Sequence, residues 1–380
     1  MKILLAPDSF KGSLSAAEVA AYLRAGILRV LPEAEVDMLP VADGGEGTCA
    51  AIVAALGGEI IKTEVTGPNG NRVGAFFGRA GDMAVIEMAA ASGLHLAPRN
   101  DLRPTKATTY GTGELMLRAL DAGCKKILLG IGGSATTDGG AGMAQALGVR
   151  LRDASGQELG PGGGELGRLA HVDVSGMDPR VAGCEWIVAS DVSNPLCGEN
   201  GCAAVYGPQK GCTPQDVALL DRNLGHYARM LREQLGKDVA DIPGAGAAGG
   251  LGAGLIAFCG ATLKSGVDTV LDAVAFDERV ADADLVITGE GRMDYQSAFG
   301  KLPVGVARRA KAIAGAAVIA VVGGIGQGAN AVYAHGIDAI TSIVDKPMAL
   351  EEAIHNAPDL LQDTAERVIR LLRAGCERPF

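Results

Sequence analysis

Short apolar runs that break onto glycine- or acid-bearing turns, each leading into a helical pattern, recur at both ends of this 380-residue chain. Such a grammar builds a parallel sheet covered by helices on both faces. Residues 2–6 (KILLA) stop at a Pro/Asp/Ser/Gly cluster, and a helical pattern then runs from Ser15 to about Val30. Ser15 with Glu18 three residues on spells a capping box. A second run, Val36 to Ala42, opens onto Asp43-Gly44-Gly45-Glu46-Gly47 and a helix from Thr48 to Leu56, closed by Gly57 and Gly58. A third, Glu59 to Val65, ends at Gly67-Pro68-Asn69-Gly70, a strong turn signal.

The C-terminal end repeats the pattern. Ala283 to Thr288 opens onto Gly289-Glu290-Gly291 ahead of a helix from Pro303, Ala316 to Val322 opens onto Gly323-Gly324, and Ile337 to Val344 stops at Asp345. The expectation is an α/β fold: a parallel, Rossmann-like sheet domain over residues 1–65 and 282–380, with three strands from each chain end. The middle, residues 66–281, is denser in glycine and mixes alternating runs such as Arg72 to Arg79 with apolar ones such as Lys126 to Ile131. It reads as an inserted α+β domain, with the active site in the cleft between the two domains, at the carboxyl edge of the first sheet. No 20- to 50-residue period points to a repeat architecture.

Glycine supplies 56 of the 380 residues, twice the usual share of about 7%, which implies many tight turns suited to wrapping a ligand. The net charge of −10 argues against nucleic acid as a partner. An anionic substrate would have to be held by backbone amides, helix N-termini, a few placed Lys or Arg, or a metal ion. The first apolar stretch is too short for a signal-peptide core and no run reaches membrane-helix length, so neither secretion nor a membrane is expected. The eight cysteines include no CxxC or CxxH spacing and read as free thiols in a reducing cytosol. Cys197, Cys202 and Cys212 share one Gly-rich segment, which keeps metal binding as the minority reading.

A P-loop is absent, because Gly300-Lys301-Leu302 fails the pattern on both sides. GxGxxG occurs once, at Gly244 to Gly249, but Asp241-Ile242-Pro243 stands where a strand is required, so a packing loop is preferred over a phosphate cradle. Gly130 to Ala135 is better placed. It follows an apolar run and precedes a helix-like stretch from Gly140 to Leu147, and Thr136, Thr137 and Asp138 add hydroxyls and a carboxylate to a candidate anion-binding turn.

Asp8, Asp43 with Glu46, and Glu290 with Asp294 all fall just after expected strands of one sheet, which brings them to one edge. Carboxylates converging in a cleft bind cations, titrate abnormally or repel. Lys11 and Lys301 supply the positive charge that phosphate oxygens need. Asp191 follows the apolar run Trp186 to Ala189, where a carboxylate can face a substrate hydroxyl as a general base. The five histidines show no pairing, and there is no GxSxG elbow or Cys/His pair.

The segments APDSFKGSLSA (Ala6 to Ala16), VADGGEGT (Val41 to Thr48), GIGGSATTDGGAG (Gly130 to Gly142), SDVSNPLCGENGCA (Ser190 to Ala203) and TGEGRMDYQSAFGKLP (Thr288 to Pro303) together resemble the bacterial glycerate kinase family, in order and to about Leu372. The resemblance implies a two-domain cytoplasmic enzyme that moves the γ-phosphoryl group of ATP to a hydroxyl of D-glycerate with Mg²⁺, favouring the 2-hydroxyl. A homodimer is left open. Phosphoryl transfer needs alignment, charge neutralisation and a proton acceptor, and the implied roles follow that need. Asp191 is the first choice of base and Asp294 the second. Asp43 and Glu290 hold Mg²⁺ directly or through water, while Lys11 and Lys301 neutralise phosphate oxygens. Ser9, Gly132, Gly133, Ser134, Thr136, Thr137, Asn194, Gly289 and Gly291 contact phosphate or glycerate, and Arg292 clamps a carboxylate. The alternatives are a sensing protein that binds a nucleotide or hydroxy acid without chemistry, and an NAD-dependent hydroxy-acid oxidoreductase. The oxidoreductase is weakened because no acidic residue ends a second strand about 20 residues beyond Gly130 to Ala135.

Overall fold

The computed structural model describes residues 1–98, 100–298 and 300–377, with no side-chain detail for residues 376–377. The chain divides into two compact units. One comprises Met1–Asp43, Ala50–Gly57 and the chain from Val267 on; the other comprises Gly44–Cys49 and Gly58–Gly266. Among the described residues no helix is long and apolar enough to cross a membrane.

The first unit is built on an all-parallel five-stranded sheet. Its strand order is Ala339–Ser342, Ala317–Val322, Leu285–Gly289, Lys2–Pro7 and Glu35–Met38. Side chains alternate between the faces of a strand, and Ile3, Leu5, Ile287 and Val321 join Leu23, Ile27, Leu361 and Ile369 in one core. The alternate residues Leu4, Ala6, Val286 and Val318 are equally buried, so both faces are covered, as a parallel sheet requires. Helix Ala16–Leu28 begins with the expected capping box: Ser15 Oγ accepts from Glu18 N at 3.3 Å, and Ser15 N donates to Glu18 Oε2 at 2.8 Å. It lies against the C-terminal helix Ala357–Glu377 so closely that a Cβ on Gly26 would stand 2.1 Å from the Gln362 carbonyl oxygen.

Two expectations about this sheet need correction. It takes two strands from the N-terminal end, not three, because strand Glu59–Thr66 belongs to the second unit. There it pairs antiparallel with Arg72–Ala80 over the full register from Glu59↔Arg79 to Thr66↔Arg72. The cause is the intervening turn, which Gly67 N closes by donating to Asn71 O at 2.6 Å. A connection this short permits only an antiparallel neighbour. At the other boundary, residues 267–281 pack with the first unit. Arg308 pairs with Asp268 at 2.8 Å, Arg309 with both Asp272 and Asp277 at 2.7 Å, and Arg279 Nε donates to Asp37 Oδ2 at 2.8 Å.

The second unit holds a mixed six-stranded sheet, ordered Thr262–Lys264, Glu185–Ala189, Lys126–Gly130, Met83–Glu87, Arg72–Ala80 and Glu59–Thr66. The first four run parallel and the hairpin completes the sheet antiparallel. Ile86, Ile127, Leu129, Trp186 and Val188 form its core with Leu115 and Met116 of helix Tyr110–Asp121. Trp186 is satisfied inside, its indole N–H donating to Val181 O at 2.8 Å.

Candidate active site

In the first unit the chain leaves strand Lys2–Pro7 toward one neighbour, Glu35–Met38, while the C-terminal strands add on the opposite side, starting with Leu285–Gly289. The gap between the carboxyl ends of Lys2–Pro7 and Leu285–Gly289 is therefore the topological switch point, where open α/β sheets bind ligands. Pro7 and Gly289 are register partners, and Asp8 N donates to Gly289 O at 2.9 Å. The residues after them, Asp8 and Glu290, thus emerge side by side. Gly289 has a structural task here, since a Cβ would stand 1.9 Å from the Val321 carbonyl oxygen of the next strand.

A cavity of about 710 Å³ opens at this edge, and every residue lining it belongs to the first unit. Asp8, Ser9, Lys11, Asp43, Glu290, Gly291, Arg292 and Lys301, all named from sequence, line it together. Asp8 is buried, and its Oδ1 accepts from Ser9 N at 2.6 Å and Ser9 Oγ at 3.3 Å. Burial, and then the charge of Asp43, push the Asp8 carboxyl up to about 6. Lys11 Nζ stands 3.7 Å from Asp43 Oδ2. Glu290, also buried, accepts from Ser297 Oγ at 2.5 Å and has Lys301 Nζ 3.7 Å from its other oxygen. Its pKa is raised by burial, against the pull of Ser297 and Lys301.

Asp294 does not join this group. Its Oδ1 accepts from Gln296 N at 2.9 Å, capping the turn Tyr295–Ala298, and it stands 3.8 Å from the exposed Arg292 guanidinium. The sequence reading gave Asp8 no role beyond the strand-end group and missed Ser297 altogether. Ser297 lies seven residues past Glu290, a spacing that meant nothing before the turn was folded.

The remaining candidates lie in the second unit. Gly132 and Gly133 are exposed after strand Lys126–Gly130, with Gly133 at φ +75°. Ser134 is half-buried and bridges to Gly93. The rest of that motif turns inward. Thr136 and Thr137 are fully buried, and neither Oγ1 has a hydrogen-bond partner among the described residues. Thr136 O accepts from the buried Lys210 Nζ at 2.6 Å, and a Cβ on Gly249 would stand 1.9 Å from that same oxygen. The Gly244 to Gly249 stretch is thus packing backbone. Asp138, fully buried, accepts from Thr109 N at 2.8 Å, Thr109 Oγ1 at 2.9 Å, Gly140 N at 3.2 Å and Gly142 N at 3.3 Å. It organises the turn from inside.

Asp191 is exposed two residues past strand Glu185–Ala189, and its Oδ1 accepts from Gly266 N at 2.8 Å. Asn194 is committed at both ends of its amide, to Asn200 O at 2.8 Å and Tyr206 Oη at 2.6 Å, and so holds its own loop together. The seven cysteines with described side chains are free, and burial pushes Cys197 and Cys202 up to about 12. The side chain of Cys376 lies outside the described residues.

Asp8, Asp43 and Glu290 form a set of hard oxygen donors at the cavity wall, and the raised pKa of Asp8 and of Glu290 is a cost that a nearby cation would offset. Among the described residues no group of three or more His, Cys, Asp or Glu could hold a metal ion by itself. The donor set fits an ion such as Mg²⁺, which takes one or two carboxylates and completes its shell with water and phosphate oxygens.

The model of the glycerate kinase family matches residues 3–373. A glycerate kinase from Halalkalibacterium halodurans is 54% identical over 96% of this chain and 97% of its own length. A glycerate 2-kinase from Escherichia coli is 49% identical over 99% of each. The crystal structure of a protein described as glycerate kinase 2, from Salmonella typhimurium LT2, superposes with a TM-score of 0.93 at 50% identity and covers all of both chains. With a family match spanning nearly the whole sequence and relatives this similar, the chain belongs to the glycerate kinase family.

Proposed function

We propose that the enzyme transfers the γ-phosphoryl group of ATP to the 2-hydroxyl of D-glycerate with Mg²⁺, giving 2-phosphoglycerate. The observation that carries the reading is the cavity at the switch point of the first unit, where Asp8, Asp43 and Glu290 stand with Lys11 and Lys301. Cations beside buried carboxylates suit a polyphosphate bound with a divalent ion. Lys11 and Lys301 neutralise phosphate oxygens. Asp43 and Glu290, with Asp8 beside them, would hold Mg²⁺, whose contribution when bound is to neutralise charge on the phosphates. Asp191 accepts the proton of the reacting hydroxyl, a role its exposed carboxylate at a strand end suits. Gly132, Gly133 and Ser134 offer a glycine-rich turn to an anion, while Arg292, exposed at the cavity wall, is the clamp for the glycerate carboxylate. The name of the Escherichia coli relative, glycerate 2-kinase, supports the 2-position. A cytoplasmic location accords with ATP as donor and with free thiols.

The test is ADP release from purified protein with Mg²⁺-ATP and D-glycerate, the product passed to enolase alone and then to enolase with phosphoglycerate mutase. Signal with enolase alone identifies 2-phosphoglycerate. Signal only with the mutase identifies the 3-isomer, and no ADP above the blank without glycerate removes the assignment.

A further inference from the structure

The cavity of the first unit has two chemically unlike ends. One carries the carboxylates and lysines described above. The other is walled by Ile325, Ile343, Val344, Met348, Leu350 and Ile354. Four of these are large aliphatic side chains left open to solvent: Ile325 is 53% exposed, Val344 37%, Leu350 75% and Ile354 39%. Single exposed aliphatics need no explanation, but several converging on one concave wall mark a binding surface.

Glycerate does not account for that wall. A three-carbon acid bearing a carboxylate and two hydroxyls has almost no apolar face to offer, and the charged end already matches it. A nucleoside triphosphate is itself two-ended, with a flat base that gains from leaving water and a phosphate chain that needs cations.

The layout of the sheet fits such a ligand in length as well as in chemistry. Asp8 follows strand Lys2–Pro7, Glu290 follows Leu285–Gly289, Gly323 follows Ala317–Val322, and Ile343 follows Ala339–Ser342, four strands adjacent in that order. Three steps of about 4.8 Å put the strand ends that carry Asp8 and Ile343 roughly 14 Å apart, the scale of an extended nucleoside triphosphate. Ile354, whose carbonyl accepts from Ser13 Oγ at 3.4 Å, closes the wall on the side of the first strand's loop. Between those strand ends the wall is low. Gly291, Gly323 and Gly324 line the middle of the cavity, and Gly324 N donates to Gly291 O at 3.1 Å to join the two loops. A Cβ on Gly324 would meet nothing within 4 Å, so open space stands over Gly324, whereas a Cβ on Gly323 would stand 2.4 Å from the Gly291 carbonyl oxygen and one on Gly291 3.3 Å from Phe10 Cα.

We infer that the apolar wall formed by Ile325 and the segment from Ile343 to Ile354 holds the base of the ATP, with the triphosphate running over the glycine floor toward Lys11 and Lys301. This rests on the phosphoryl-transfer reading above and assigns the donor's position within it.

Two measurements test it. In the first, the double variant Leu350→Ser/Ile354→Ser is compared with wild type in steady-state kinetics. Both positions are exposed, and a thermal melt checks that the fold is kept. The expected result is a KM for ATP raised about tenfold or more with the KM for glycerate within twofold. An unchanged KM for ATP in a folded variant overturns the inference, even if glycerate phosphorylation is normal. In the second, wild-type protein is photolabelled with 2-azido-ATP in Mg²⁺ and the labelled peptide is sequenced. Label on Ile325 or within residues 343–357 supports the inference, and label confined to other segments overturns it. Should the protein release no ADP in response to glycerate yet carry label on residues 343–357, the acceptor assignment fails and the base site stands.

Discussion

The Ser297 hydroxyl donates to Glu290 Oε1 at 2.5 Å, inside the wall of the charged cavity. Burial raises the Glu290 pKa and this hydrogen bond opposes the rise. Ser297→Ala removes the bond without adding bulk, so the carboxyl is protonated at higher pH. The acid limb of the kcat profile is expected to move up by about one pH unit, the scale of one hydrogen bond to a charged group. An acid limb that stays in place would show that Glu290 need not be ionised for turnover.

Asp8 stores a cost that depends on pH. Its carboxyl is near 6 in the folded protein and near 3.8 when exposed, so the folded state holds the proton more tightly. That stabilising preference is fully present below about pH 3.8 and is lost as pH rises through 6, a penalty on the order of 3 kcal/mol at neutral pH. Asp8→Asn removes the charge and keeps an acceptor for Ser9 N. It is expected to be more stable than wild type at pH 7.5, with the gap closing toward pH 4, and at least a hundredfold slower. Urea midpoints at the two pH values and a kcat measurement check the three outcomes together.

Lys210 is fixed to the Thr136 carbonyl at 2.6 Å in the interior of the second unit, and burial lowers its pKa to about 8. Between pH 8 and the ordinary lysine value of 10.5 the unfolded chain binds the extra proton, so stability rises with pH across that window, by roughly 3 kcal/mol. In Lys210→Met this rise is expected to flatten. Identical slopes for wild type and variant between pH 8 and 10 would show that the ammonium is not desolvated.

Asp191→Asn is the direct test of the proton acceptor. The side chain keeps an oxygen for Gly266 N, so the fold is expected to persist. A loss of about a hundredfold or more in kcat, with the KM for glycerate changed little, is the result expected of a removed general base. Turnover within a few-fold of wild type would assign the role elsewhere.

The strand-loop-helix units at both chain ends were legible because parallel strands buried on both faces leave unbroken apolar runs, and Ser15 with Glu18 announced the first helix. The strand at Glu59–Thr66 was equally legible as a strand, but its sheet was not. The residues of the run mark it as a strand, and only the tightness of the Gly67 to Asn71 turn decides which partner it takes. In the site, acids and lysines at strand ends were readable because topology alone gathers them. The burial of Thr136 and Thr137 was not readable, since a hydroxyl in a glycine-rich motif looks the same whether it lies at the surface or, as here, inside. The aliphatic wall gave no signal at all. Ile325 and Val344 come from separate segments, Leu350 and Ile354 from one short helix, Leu350–His355, and each alone looks like an ordinary surface residue.

The pairing of strand Lys2–Pro7 with Leu285–Gly289 also sets a timetable for synthesis. The first strand leaves the ribosome with its C-terminal neighbour still about 280 residues away, a wait of roughly 14 to 56 s at 5–20 residues per second. The second compact unit, Gly44–Cys49 with Gly58–Gly266, emerges complete during that interval. Ile3, Leu4 and Leu5, destined for full burial, thus spend that interval without the neighbouring strand Leu285–Gly289.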